Sequence, residues 1–161
     1  SHNSDWTANV ERYLGEENNA EYISMDPALS RFPADFNIDK LFVRYVDVAR
    51  GKMDEAKEIL KKITRVYTEK IPGETYGIYF NEIPSTSAGR DITIVSFFDK
   101  YAWMGKDDGF NAKYDEIFGK GSVDAMWTAW QAITPAQECE IWEYQEELSG
   151  LPPLVKAAER K

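Results

Sequence analysis

From Lys40 onward the apolar residues of this chain fall into two rhythms. KLFVRYVDV, TYGIYFNEI, RDITIVSFFD and AQECEIWEYQEEL are short runs rich in β-branched and aromatic residues, bounded by turn residues, and each predicts a strand. Between the first two, MDEAKEILKKITRVYTEK places Met53, Ala56, Ile59, Leu60, Ile63, Val66 and Tyr67 at helical spacing. Its acids, Asp54 and Glu55, come first and Lys70 last, as the helix dipole favours, and Ile71-Pro72-Gly73 ends it. Between the last two strands lie two further helical stripes: Phe110, Tyr114, Ile117 and Phe118, then Val123, Met126, Trp127, Trp130 and Ile133. Asp99 is expected to cap a helix through KYAWM, and Ser122 to cap the last one. PSTSAG joins strands two and three as a hairpin.

The ends are less regular. Asp5 to Leu14 predicts a short helix, and the Pro-punctuated stretch after it, with Tyr22, Phe32 and Phe36 as anchors, reads as an arm lying over the domain. Residues 149–161 read as a turn, a Pro-Pro step and a short helical tail. The expected fold class is therefore α+β. A ferredoxin-like βαββαβ domain spans residues 40–148, with an antiparallel four-stranded sheet and its helices on one face, an N-terminal arm over 1–39 and a tail over 149–161.

A sheet covered on one side alternates apolar with polar residues. These strands carry apolar residues on both parities: Leu41, Val43 and Tyr45 against Phe42, Val46 and Val48; Val95 and Phe97 against Ile92, Ile94 and Phe98. Both faces need cover, which predicts a homodimer formed through the second face, with the arm covering that face within one chain as the rival explanation.

One parity also carries a polar residue in every strand: Arg44, Asn81, Ser96 and Glu143. The opposite parity, Leu41, Val43, Tyr45, Ile78, Phe80, Val95, Phe97, Trp142 and Tyr144, is more uniformly apolar and is expected under the helices. The four polar groups would then converge in a pocket of the kind small molecules occupy. In that pocket Arg44 would hold a carboxylate or enolate oxygen and Glu143 would act as base, these two being the catalytic candidates. Tyr79, Asn81, Ser96 and Trp103 would contact and orient the ligand. The plainer reading makes Arg44 and Glu143 a satisfied buried pair, and Trp127 and Trp130 core.

Composition narrows the chemistry. The 161 residues carry a net charge of −9, which repels nucleic acid, and no apolar run approaches the length that spans a bilayer. His2 is the sole histidine and Cys139 the sole cysteine, so triads built on histidine, His-ligated metals and disulfides lack their parts. No metal and no cofactor is assigned. Gly119-Lys120-Gly121-Ser122 lacks the full phosphate-loop spacing, and Lys106-Asp107-Asp108-Gly109 lacks that of a calcium loop, so it is placed in solvent. The compartment stays open, with the cytoplasm slightly favoured, because the chain begins with Ser1 rather than Met.

FVRYVDVARGKMDEAKEIL, a strand, basic Gly turn and acidic helix start, and ITIVSFFDKYAWM, a strand running through an acid into an aromatic helical segment, resemble the dimeric α/β barrel superfamily. That group includes antibiotic-biosynthesis-monooxygenase-like and stress-responsive barrel proteins. The resemblance covers residues 40–147. It implies a homodimeric barrel that binds a small molecule and a cofactor-independent monooxygenase-like or isomerase-like activity on an apolar or aromatic substrate. The alternative is a non-enzymatic binding or interaction module whose barrel interior is only core.

Overall fold

A computed structural model describes residues 9, 21–33, 35–83, 89–149 and 154–156. Its elements in chain order are β1 (Ile23–Met25), β2 (Asp35–Asn37), β3 (Lys40–Asp47), α1 (Met53–Lys70), β4 (Tyr76–Asn81), β5 (Ile92–Phe98), α2 (Phe110–Phe118), α3 (Ser122–Ile133), β6 (Ala136–Glu143), α4 (Glu146–Ser149) and β7 (Leu154–Lys156), with a 3-10 turn at Tyr101–Gly105. The fold is α+β. Five strands form one antiparallel sheet in the order β1-β4-β5-β3-β6, and β2 pairs with β7 in a second, two-stranded sheet.

The four strands and three longer helices expected from the pattern are all present, but the fourth strand stops at Glu143, and Glu146–Ser149, expected within it, is a short helix. Three further expectations about the elements are corrected. Residues 23–25, assigned to an arm, are a fifth strand that extends the sheet beside β4. In the tail, Leu154–Lys156 is a strand on β2 rather than part of a helix. The caps also differ. The 3-10 turn begins after Lys100 with no side-chain cap, and Gly121, in the left-handed region at φ 81°, precedes α3. The start of α3 is held instead by Asp115 on α2, whose carboxylate accepts from Gly121 N at 2.7 Å, Val123 N at 2.9 Å and Ser122 Oγ at 3.2 Å. A carboxylate one helix away reaches the free amides because the Gly119-Gly121 turn folds α3 back onto α2. Most of the expected Asp5–Leu14 helix and of the PSTSAG turn lies outside the described residues.

β3 is the central strand that pairs with both β5 and β6. Its register sets the faces. Arg44 stands opposite Ile94 on β5 and Cys139 on β6, Phe42 opposite Ser96 and Ile141, and Tyr76 on β4 opposite Ser96. Phe42, Arg44, Val46, Tyr76, Ile78, Ile92, Ile94 and Ser96 therefore share one face. The helices cover that face: one core cluster joins Val46, Ile78 and Ile92 to Ala56, Leu60 and Val66 of α1, Phe110 and Tyr114 of α2, and Met126, Trp130 and Ile133 of α3. Each Val, Leu or Ile side chain buried there contributes about 1.5–3 kcal/mol.

In β3, β5 and β6 the parity with the polar interruption thus lies under the helices and the apolar one does not, the reverse of the expectation, whereas in β4 Ile78 and Phe80 lie under the helices as expected and Tyr79 and Asn81 do not. The second face carries Leu41, Val43 and Tyr45 of β3, Tyr79 of β4, and Val95 and Phe97 of β5, which line a broad groove of about 1230 Å³. Phe32 and Phe36 fold over one end, their rings 5.6 and 5.0 Å from Phe97. Ile23, Met25 and Trp142 remain exposed along it. Gly77 fits this face because the Tyr79 ring lies across it, where a Cβ would come within 2.7 Å.

Candidate functional site

Under the helices the core is not filled. A cavity of about 410 Å³, within the usual range of small-molecule sites, lies between the β3-β5-β4 surface and the helical layer. β3 supplies Phe42 and Arg44, β5 supplies Ile94 and Ser96, α1 supplies Tyr67 from its last turns, and α2 supplies Phe110. The loop after β5 closes the remaining side through Trp103, and exposed Met104 and Lys106 form the rim.

This wall has a local cause. α1 ends at Lys70, the N–H of Ile71 just after it donates to the Tyr67 carbonyl at 3.1 Å, and a short turn leads into β4, so Tyr67 and Tyr76 meet with rings 5.3 Å apart. Tyr67 also meets Phe110 at 5.3 Å. After β5 the chain leaves the sheet as a 3-10 turn, and Trp103 folds back onto Phe98, stacked at 5.1 Å and 14°. Its indole N–H donates to Glu74 Oε2 at 2.9 Å, and Lys106 Nζ stands 3.7 Å from the other Glu74 oxygen. Glu74, Trp103 and Lys106 together tie the loop to the entry of β4.

Arg44 is the charged group that the sheet contributes to the cavity. Its guanidinium lies over the Phe42 ring at 5.5 Å, its Nε is buried without a hydrogen-bond partner, and it makes no hydrogen bond or ion pair with another described residue. Buried polar groups normally have partners, and an unpaired guanidinium in a cavity is costly unless something else enters to meet it. Nearby, burial pushes the Tyr67 hydroxyl well above the usual tyrosine range, Asp108 and Glu74 add to the shift, and Arg44 opposes it. The hydroxyl stays protonated and able to donate at any ordinary pH.

Of the six residues singled out from the sequence, Arg44, Ser96 and Trp103 line this cavity together. Ser96 is the diagonal neighbour of Arg44 across the β3-β5 pair, a spacing that long side chains bridge. The other three stand elsewhere. Glu143 is opposite Lys40 at the far end of β6, is half exposed and pairs with Lys40 at 3.4 Å. Four residues of strand, roughly 13 Å, separate Lys40 from Arg44, so neither the proposed base nor the buried Arg44–Glu143 pair forms. Tyr79 lines the groove on the second face. Asn81, on the same parity, ends β4, where its side-chain oxygen accepts from Ile83 N at 3.0 Å.

Three contributors were absent from that set. Tyr67 stood among the apolar stripe of α1, and nothing in a helical period says that its end overhangs a cavity. Glu74 sits in a two-turn connection with no motif. Asp108, placed in solvent, lines the cavity and accepts from Phe110 N at 2.9 Å, which aims α2. Trp127 and Trp130, read as core, belong to both descriptions: they pack in the core and border the cavity.

Among the described residues no cluster of His, Cys, Asp and Glu could hold a metal ion, and no helix is long and apolar enough to cross a membrane. No protein-family model, no curated protein and no solved structure matches the chain.

Proposed function

We propose that this protein is a small-molecule-binding domain whose ligand, a flat apolar or aromatic compound, lies between the sheet and the helical layer. The observation that carries the reading is the 410 Å³ cavity walled by Phe42, Tyr67, Trp103 and Phe110. Aromatic walls around a partly closed space suit a planar ring, which recovers contact with each face. The strand order of β3 to β6 supports the ferredoxin-like arrangement and the likeness to dimeric α/β barrels.

Within that reading, binding is better supported than catalysis. A cofactor-independent oxygenase or isomerase needs a base beside its substrate. Glu143 is outside the cavity, Glu74 is committed to Trp103 and Lys106, and Asp108, the other carboxylate of the lining, accepts from Phe110 N. Homodimerisation belongs to the same proposal. The apolar rows Leu41-Val43 and Val95-Phe97, with exposed Ile23, Met25 and Trp142 beside them, are what a second copy would cover.

The uncharged fluorophore N-phenyl-1-naphthylamine tests the site. The protein is expected to enhance its fluorescence at one equivalent per chain, and Ser96→Trp, which fills the cavity from its floor, is expected to abolish the enhancement while the thermal transition survives. Equal enhancement by wild type and a folded Ser96→Trp would remove this cavity as the binding site.

A further inference from the structure

The ligand class can be narrowed by counting the charges around the cavity, an argument that rests on the binding reading above. Four charged side chains line it: Arg44, Glu74, Lys106 and Asp108. Three have fixed positions or partners. Glu74 accepts from Trp103 and faces Lys106, Lys106 is an exposed residue of the rim, and Asp108 accepts from Phe110 N just before α2. Arg44 alone is uncommitted, with its Nε buried and its guanidinium carbon 5.5 Å from the centre of the Phe42 ring.

We propose that the cavity binds a planar aromatic monocarboxylate, with the carboxylate on Arg44 and the ring held among Phe42, Tyr67, Trp103 and Phe110.

The guanidinium offers paired N–H donors in the fork that a carboxylate matches with two parallel bonds, and such charge-assisted pairs are about twice as strong as neutral ones. The Tyr67 hydroxyl and the Ser96 hydroxyl, both on the cavity wall, are neutral donors that can complete the oxygens' hydrogen bonding. A single uncommitted cation sets the charge. A phosphate or dicarboxylate would bring a second negative charge past Glu74 and Asp108 with nothing free to meet it, because Lys106 already faces Glu74. An uncharged ring would fill the same space and leave Arg44 unpaired, at the cost that burying an unsatisfied charged group carries.

Calorimetric titration of the full chain with 2-naphthoate and its uncharged isostere 2-naphthamide separates the two levels of the argument. Wild type is expected to bind the acid at least tenfold more tightly than the amide. Arg44→Gln is expected to bring that ratio close to one by weakening the acid, and Arg44→Lys, which keeps the charge without the fork, to leave an intermediate preference. Comparable binding of acid and amide by wild type would overturn the carboxylate assignment while leaving the cavity a binding site. Retention of the full preference in a folded Arg44→Gln would overturn the role of Arg44. Failure of both compounds to bind would overturn the carboxylate proposal and the binding reading together. The wild-type comparison stands even if Arg44→Gln does not fold.

Discussion

The two faces of the sheet make opposite use of the same kind of residue. On the helix side, apolar side chains from β3, β4 and β5 interlock with α1, α2 and α3, and Val46, Ala56, Val66 and Ile92 are wholly shut off from solvent. That face nevertheless contains the unpaired Arg44 and an unfilled space. The second face is almost free of charge in its central rows, yet its groove is broad and edged by exposed Ile23, Met25 and Trp142. Apolar content is therefore a poor guide to which side of a sheet receives the helices. A covering layer of long side chains can bridge over a polar group and leave a cavity around it, whereas a flat row of Val and Leu can wait for a less intimate partner.

The largest expected effect tests the helix side. Ile92→Ala, at a fully buried position outside the cavity wall, is expected to cost about 2–5 kcal/mol in urea denaturation. Leu41→Ala, half-buried on the second face, is expected to cost roughly half of that or less. Equal losses would mean that both faces are core in the same sense, and the contrast between them would fall.

Next in size is the second face. If two copies meet there, Trp142→Glu is expected to weaken the dimer at least tenfold in sedimentation equilibrium, leaving the circular dichroism spectrum unchanged. A wild-type chain that sediments as a monomer at micromolar concentration would show that the groove is not a contact between copies.

Alkaline stability reports on the cavity. Tyr67 has its pKa raised in the folded state, chiefly by burial. Its contribution is thus complete below the unfolded value of about 10 and fades as pH climbs from there toward the folded value. Tyr67→Phe should flatten the decline in stability above about pH 10, measured by urea melts across that range. An unchanged alkaline limb would place Tyr67 in water rather than at the cavity wall.

The smallest effect concerns the helical layer itself. Asp115 has its pKa lowered by backbone hydrogen bonds, first from Gly121 and then from Val123. Its contribution is present above the unfolded carboxylate value near 4 and is lost as pH falls through the lower folded value. Asp115→Asn is expected to lower Tm by a few degrees at pH 7, with the gap from wild type closing in acid. A gap that persists in acid would assign the loss to geometry rather than charge.

The sequence by itself determined the main elements between Lys40 and Glu143. The 3.6-residue stripe of α1 and its Pro-Gly stop, the two stripes of α2 and α3 on either side of Gly119-Gly121, and the four β-rich runs are local patterns, and local sterics and burial decide them within a few residues. It also marked Arg44 and Ser96 as polar interruptions in otherwise apolar strands, and those two do share a cavity with Trp103. Tertiary structure decided which face is which. A period of two sorts residues into parities without saying which parity meets the helices, and it cannot say how neighbouring strands are registered. That is why Asn81 and Tyr79, grouped with Arg44 by parity counting, stand on the opposite face once Tyr76 is set against Ser96, and why Glu143 keeps its face but falls at the far end of β3. Pairing registers, the Asp115 cap and the loop that brings Trp103 to Glu74 all join residues distant in the chain, and only the closure of the whole domain fixes such contacts.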